Sequence, residues 1–186
     1  MRTLEQWRDP ERIRAAPLFY KIDMEHIFSP WRYKYISTAG SEESCVFCRV
    51  QEPQKDDENY IVYRGKLNFV ILNLFPYTSG HLMIAPYEHI ASLASISEAT
   101  TTEMMKLTKR AQVALEAEYR PDGFNIGMNL GRSAGAGVAD HLHLHVVPRW
   151  VGDANFVSIV GETRVLPEEL STTYQKLKKH FDASAR

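Results

Sequence analysis

The chain of 186 residues carries 22 Lys and Arg against 23 Asp and Glu, a formal net charge of −1. That balance excludes the broad basic surface on which nucleic-acid binding depends. With 44% hydrophobic and 24% charged residues, the composition is that of a single globular domain able to bury a core without disulfide staples.

The first twenty residues, "MRTLEQWRDPERIRAAPLFY", mix charges and lack an apolar run of leader length, so no secretory leader and a cytoplasmic location are expected. Residues 1–40 read as an N-terminal extension packed on the domain that residues 41–186 form. "YIVYRG" reads as a strand. The stretch from Leu67 to Tyr87 holds no Asp, Glu, Lys or Arg and is long enough to span a membrane. Asn73, Pro76, Thr78, Ser79 and Gly80 interrupt it, so it reads instead as two buried strands, 67–74 and 81–85, around a turn, with no membrane partner.

A helix is expected over 98–119, with Ser97 as its cap, Met104, Leu107, Ala111 and Leu115 on one face, and Pro121 and Gly123 as its stop. Met104 and Met105 read as packing or dimer contacts. "FNIGMNL" and "HLHLHVV" read as further strands. A last helix is expected over 168–181, with Pro167 at its first position and Leu170, Tyr174, Leu177 and Phe181 as its stripe. Hairpins plus two helices make an α+β fold with a largely antiparallel sheet of about five strands.

Three of the seven histidines stand in "ADHLHLHVVPRW" at alternate positions. On a strand, His141, His143 and His145 share one face while Leu142, Leu144 and Val146 turn to the core. Near neutral pH three such imidazoles are poised as metal ligands, bases or nucleophiles. The preceding "NLGRSAGAGVAD" is rich in small residues whose backbone N–H groups can cradle phosphate oxygens.

Cys45 and Cys48 in "ESCVFCRV" are the only cysteines. The pair has three readings: a redox couple, two buried thiols, or half of a metal site. A redox couple usually opens a helix in a βαβ pattern that is not seen here. Zinc needs two further ligands, and His89 with His141 would complete a closed Cys2His2 tetrahedron, structural rather than water-activating.

"HLHLHVV" matches the signature His-φ-His-φ-His-φ-φ, with φ aliphatic, and the chain resembles the histidine-triad (HIT) superfamily of nucleotide hydrolases and transferases over roughly residues 45–150. "SPWRYKYI", "GFNIGMNLGRSAGAG" and "HVVPRWVGDANF" are similar to the bacterial branch related to diadenosine tetraphosphate phosphorylases. The resemblance implies a HIT-like fold, a homodimer, and zinc held by Cys45, Cys48, His89 and His141.

It further implies that His143 attacks the α-phosphorus of an adenosine polyphosphate to form a nucleotidyl-histidine, with phosphate or water as the final acceptor. His145 would assist the leaving group, and His141 belongs to the same triad. For His143 to present one lone pair, its other nitrogen should donate to a nearby backbone carbonyl. The resemblance also assigns Asn129 and the amides of Gly135, Ala136 and Gly137 to the phosphates, Asn73 to the ribose, and Leu74 and Phe75 to the base.

Relatives often carry Gln followed by Ser or Thr just before the triad. This chain has "AGAGVAD", so backbone amides, or Arg132 and Ser133, would substitute. Arg149 and Trp150 read either as an exposed cation and a core aromatic or as contacts to a long polyphosphate or second nucleoside. An adenosine phosphoramidate or adenylyl-lysine hydrolase, and a nucleotide-binding protein without turnover, are the competing functions.

Overall fold

The computed structural model describes residues 45–153 and 168–183. The expected N-terminal extension and Pro167 lie outside those residues. A short helix α1 (Val46–Arg49) and a second, α2 (Asp56–Asn59), lead into β1 (Ile61–Arg64), β2 (Asn68–Leu72) and β3 (Leu82–Pro86). The long helix α3 (Glu98–Tyr119), β4 (Gly123–Met128), a 3-10 turn at Arg132–Ala134, β5 (Leu144–Arg149) and α4 (Leu170–Ala183) follow. The strands form one sheet in the order β1-β2-β3-β5-β4 with every pairing antiparallel, as the α+β expectation requires.

Both faces of the sheet are covered, which is why β2 and β3 are buried at every position. Val70, Leu72, Leu82, Ile84, Leu144 and Val146 point to one side, where Met104, Leu107, Ala111 and Leu115 of α3 and Tyr174, Leu177 and Phe181 of α4 meet them. Ile61, Phe69, Ile71, Met83 and Ala85 point to the other, beneath Phe47 and Val50 around α1. The period-two alternation of strands thus builds a large core on one face and a thin one on the other. The functional site lies on the thin side.

Helix α3 has the limits its sequence predicts. Ser97 caps it by accepting from the Thr100 N–H at 3.1 Å, and Arg120 ends it at a φ of 47° before Pro121. Helix α4 begins at Leu170 rather than at Glu168. Glu168, ahead of the helix, accepts from the Tyr119 hydroxyl at 3.1 Å and pairs with Lys176 at 3.0 Å. Among the described residues, no helix is long and apolar enough to cross a membrane.

The histidine strand is shorter than its sequence suggests. The ladder with β3 stops at Ile84↔Leu144, so His141, at a bend, and His143 precede β5 and lie outside the strand. Pro86 has no N–H to continue the ladder. Its carbonyl instead accepts from the His141 ring at 2.9 Å, while the Leu142 N–H turns to the Ile90 carbonyl at 2.6 Å.

Candidate active site and metal centre

Four imidazoles in and beside the cleft have tautomers fixed by their neighbours. A backbone carbonyl can only accept, so the His143 contact of 2.8 Å to the His141 carbonyl makes Nδ1 of His143 the donor. In the neutral ring, Nε2 then carries a bare lone pair. This is the arrangement the sequence reading asks of a nucleophile.

His145 is fixed through a residue the sequence reading passed over. His81 is fully buried, and its Nδ1 accepts from the Tyr77 N–H and from the Asn73 side-chain amide, each at 3.2 Å. The proton of a neutral His81 therefore sits on Nε2, 2.9 Å from Nδ1 of His145. His145 must accept there, which places its own proton on Nε2. Signals for His81 were present in a histidine directly after Gly80 and in a polar residue opening a strand otherwise apolar through Ala85. What it faces follows only from the pairing Met83↔His145.

Both rings favour the neutral form. Burial lowers the pKa of His143, against its backbone hydrogen bond, and burial followed by the neighbouring His143 pushes His145 down to about 4. The His143 and His145 rings meet edge to face with centroids 4.9 Å apart. A protonated His145 would also turn a second N–H against the one His81 already donates.

His141 turns away from this pair. Its Nε2–H donates to Pro86, which leaves Nδ1 facing Cys45 Sγ at 3.4 Å and Cys48 Sγ at 3.6 Å. Nδ1 of His89 lies 3.3 Å from Cys48 Sγ, and the ligand atoms of all four residues fall within 4.8 Å of one another. A tetrahedron with bonds of about 2.3 Å to sulfur and 2.05 Å to nitrogen has mixed edges of about 3.5 Å, so the four donors fit a metal ion. Pro86 acts as the outer partner that fixes the ring of a ligating histidine. Burial, then Cys45, raises the pKa of Cys48, and a divalent cation reverses this by taking the place of the thiol proton.

Metal centre and cleft share a wall. Phe47, between the two cysteines, packs against His141 at 5.2 Å and His143 at 4.9 Å between ring centroids. The carbonyl that orients His143 belongs to His141. One ring contact and one hydrogen bond thus join the tetrad to His143.

The cleft is lined by His143 and His145, by the apolar Val46, Phe47, Val50, Ile71 and Met83, and by Asn73, Leu74, Phe75 and Tyr77. Leu74 and Phe75 are 48% and 60% exposed, an apolar pair at a cleft mouth that a planar ligand can cover. Asn73 is on the wall, but one amide hydrogen goes to His81 and its oxygen accepts from the Phe75 N–H at 2.9 Å. It therefore organises the rim as well as facing a ligand.

Gly135 and Gly137 line the cleft, whereas Asn129, Ala136, Arg132, Ser133 and Trp150 are not among its lining residues. The Gly135 and Ala136 N–H groups donate to the carbonyls of Arg132 and Gly131 at 3.0 and 3.3 Å. Those two bonds close the 3-10 turn. Arg149 grips Asp153 with two bonds of 2.6 and 2.7 Å and reaches Asn125 at 2.6 Å, so its fork holds the turn after β5 to β4.

A five-stranded antiparallel sheet with a histidine cluster at the wall of a cleft defines a class, and comparison with known proteins identifies it. The HIT domain model matches residues 54–151. A protein named AP-4-A phosphorylase from Mycobacterium tuberculosis is 40% identical over 161 residues, 83% of each chain. Adenosine 5'-monophosphoramidase hnt1 of Schizosaccharomyces pombe is 27% identical over 69% of this chain and 97% of its own. A zinc-bound histidine triad protein from Mycobacterium smegmatis superposes with a TM-score of 0.61 at 29% identity, over 77% of this chain and 98% of that one. The chain belongs to the HIT family of nucleotide-processing enzymes.

Proposed function

We propose that the chain cleaves adenosine polyphosphates, diadenosine tetraphosphate foremost, at the α-phosphorus through a covalent nucleotidyl-His143. The observation that carries this reading is the bond from His143 Nδ1 to the His141 carbonyl, which turns the Nε2 lone pair to the cleft. In the first displacement Nε2 forms a bond to phosphorus as the bond to the leaving phosphate oxygen breaks. The N–H on Nε2 of His145 donates a hydrogen bond to that oxygen, which leaves as the phosphate anion while His145 keeps its proton. Phosphate or water then attacks the phosphorus, and His143 is regenerated.

The tetrad is assigned to zinc, in keeping with its Cys2His2 donors and with the zinc-bound relative. Zinc bound there supplies a structural cross-link between α1, the end of β3 and the start of the histidine segment. The protein is taken as a cytoplasmic homodimer. The dimer draws support from β4, an edge strand with Ile126 exposed, and from Met105 and Val113 exposed on α3. Light scattering of the purified protein checks it.

The test is turnover of diadenosine tetraphosphate with and without inorganic phosphate, with ADP, AMP and ATP resolved by chromatography. Phosphate-dependent ADP plus ATP is expected, given the phosphorylase relative. AMP plus ATP without phosphate makes water the acceptor. A second reading, adenosine phosphoramidate hydrolysis, is favoured by the monophosphoramidase relative and gains if that substrate has the higher kcat/KM.

A further inference from the structure

The cleft wall also takes in Glu58 and Asn59, the last two residues of α2, which neither the catalytic chemistry nor the metal centre uses. Their place follows from the sheet register. Ile61 pairs with Ile71, Ile71 with Met83, and Met83 with His145, so these residues form one row across four strands on the cleft face. With strands about 4.8 Å apart, the row runs roughly 14 Å from His145 to Ile61. Glu58 and Asn59 lie three and two residues before Ile61 in the chain. They stand at the far end of the cleft from the histidines.

On the nucleotide reading, a ligand held at its α-phosphorus by His143 would lay its ribose and base along this row, over Met83 and Ile71. Apolar walls accept the face of any base equally and give no choice among them. Choice comes from hydrogen bonds to the base edge. Asn59, half-buried, offers a paired donor and acceptor that holds either purine edge, an amino group beside a ring nitrogen or, turned over, an oxo group beside a ring N–H, so the choice between them falls to its neighbour. Glu58 can only accept when ionised, so it suits an exocyclic amine and opposes a carbonyl oxygen in the same place.

Building on the nucleotide reading above, we propose that Glu58 and Asn59 read the edge of the base and select a 6-aminopurine over a 6-oxopurine. Glu58 is exposed, which keeps the discrimination modest, about tenfold, at the lower end for a paired edge contact.

The experiment compares kcat/KM for diadenosine and diinosine tetraphosphate, and dissociation constants for AMP and IMP, on the full chain and on Glu58→Gln, Asn59→Ala and the double variant. The wild type is expected to favour both adenine compounds about tenfold, and the double variant to bring both ratios within about twofold at an unchanged melting temperature. Equal handling of the two bases by the wild type, or ratios unmoved in the double variant, overturns the inference. Preference for AMP over IMP without turnover of either dinucleotide upholds base reading and instead faults the polyphosphate reaction. Binding of neither mononucleotide overturns both.

Discussion

His81 Nε2 donates to His145 Nδ1 across 2.9 Å, and the proton can come from only one side because Nδ1 of His81 already accepts from the Tyr77 backbone. This fixed relay makes His145 a donor toward the cleft. His81→Phe keeps a planar ring in the buried slot but removes the relay. Steady-state kinetics are expected to show kcat lowered by about 100-fold, the lower range for a positioned hydrogen-bond donor, with KM little changed. A kcat within twofold of wild type would show that His145 needs no such partner.

The same geometry sets a pH dependence. His145 stays neutral in the folded chain down to about pH 4, whereas a free imidazole protonates near 6.5. Between these values the unfolded chain binds the additional proton, so the contribution of His145 to stability is complete above about 6.5 and is lost as pH falls toward 4. At neutral pH the difference is at most about 3 kcal/mol. Urea unfolding of wild type and His145→Gln at several pH values isolates it: the gap between the two proteins is expected to move toward Gln as pH drops from 7 to 4. A gap constant with pH would mean that His145 titrates normally.

Metal removal is expected to act on both stability and the nucleophile, since Phe47 and the His141 carbonyl join the tetrad to His143. Purified protein is expected to hold one zinc per chain. Cys48→Ser or a strong chelator is expected to lower the melting temperature by about 10 °C or more, as loss of a structural metal costs several kcal/mol. His89→Ala is expected to do less, because His89 is exposed while His141 is wholly buried. Metal analysis with calorimetry reads the result, and an unaltered melting profile after chelation contradicts a structural role.

Gly80 occupies a φ of +80°, and an added Cβ would lie 2.8 Å from Leu115 and 3.3 Å from Tyr119 of α3. Gly80→Ala therefore combines backbone strain with a clash at the entrance to β3. A loss of about 2–3 kcal/mol by chemical denaturation is expected. A change under about 0.5 kcal/mol would show that the turn relaxes freely.

The periodic segments were legible because local pattern and tertiary burial agree in them. Ser97 to Tyr119 carries cap, stripe and stop within one run, and the alternating Leu and Val around the histidines announce which face is core. The metal tetrad was also within reach, since its donors are the only cysteines plus two histidines in distinctive contexts. Other features depended on pairing that no local window contains. The short helices α1 and α2 hold four residues each, too few for a period to emerge. His81 looks like a strand-end polar residue until β3 is laid against β5. The loop amides of Gly135 and Ala136 are rich in freedom by composition, and their bonds close the turn at Arg132.

The most direct measurement is a rapid alkaline quench of a diadenosine tetraphosphate reaction followed by peptide mass spectrometry, because the phosphorus–nitrogen bond of a nucleotidyl-histidine is lost in acid. An adenylyl mass increment on the peptide containing His143, formed before product and absent in His143→Asn, is the expected result. Turnover that proceeds with no adduct, or with the adduct on another residue, would contradict His143 as the nucleophile.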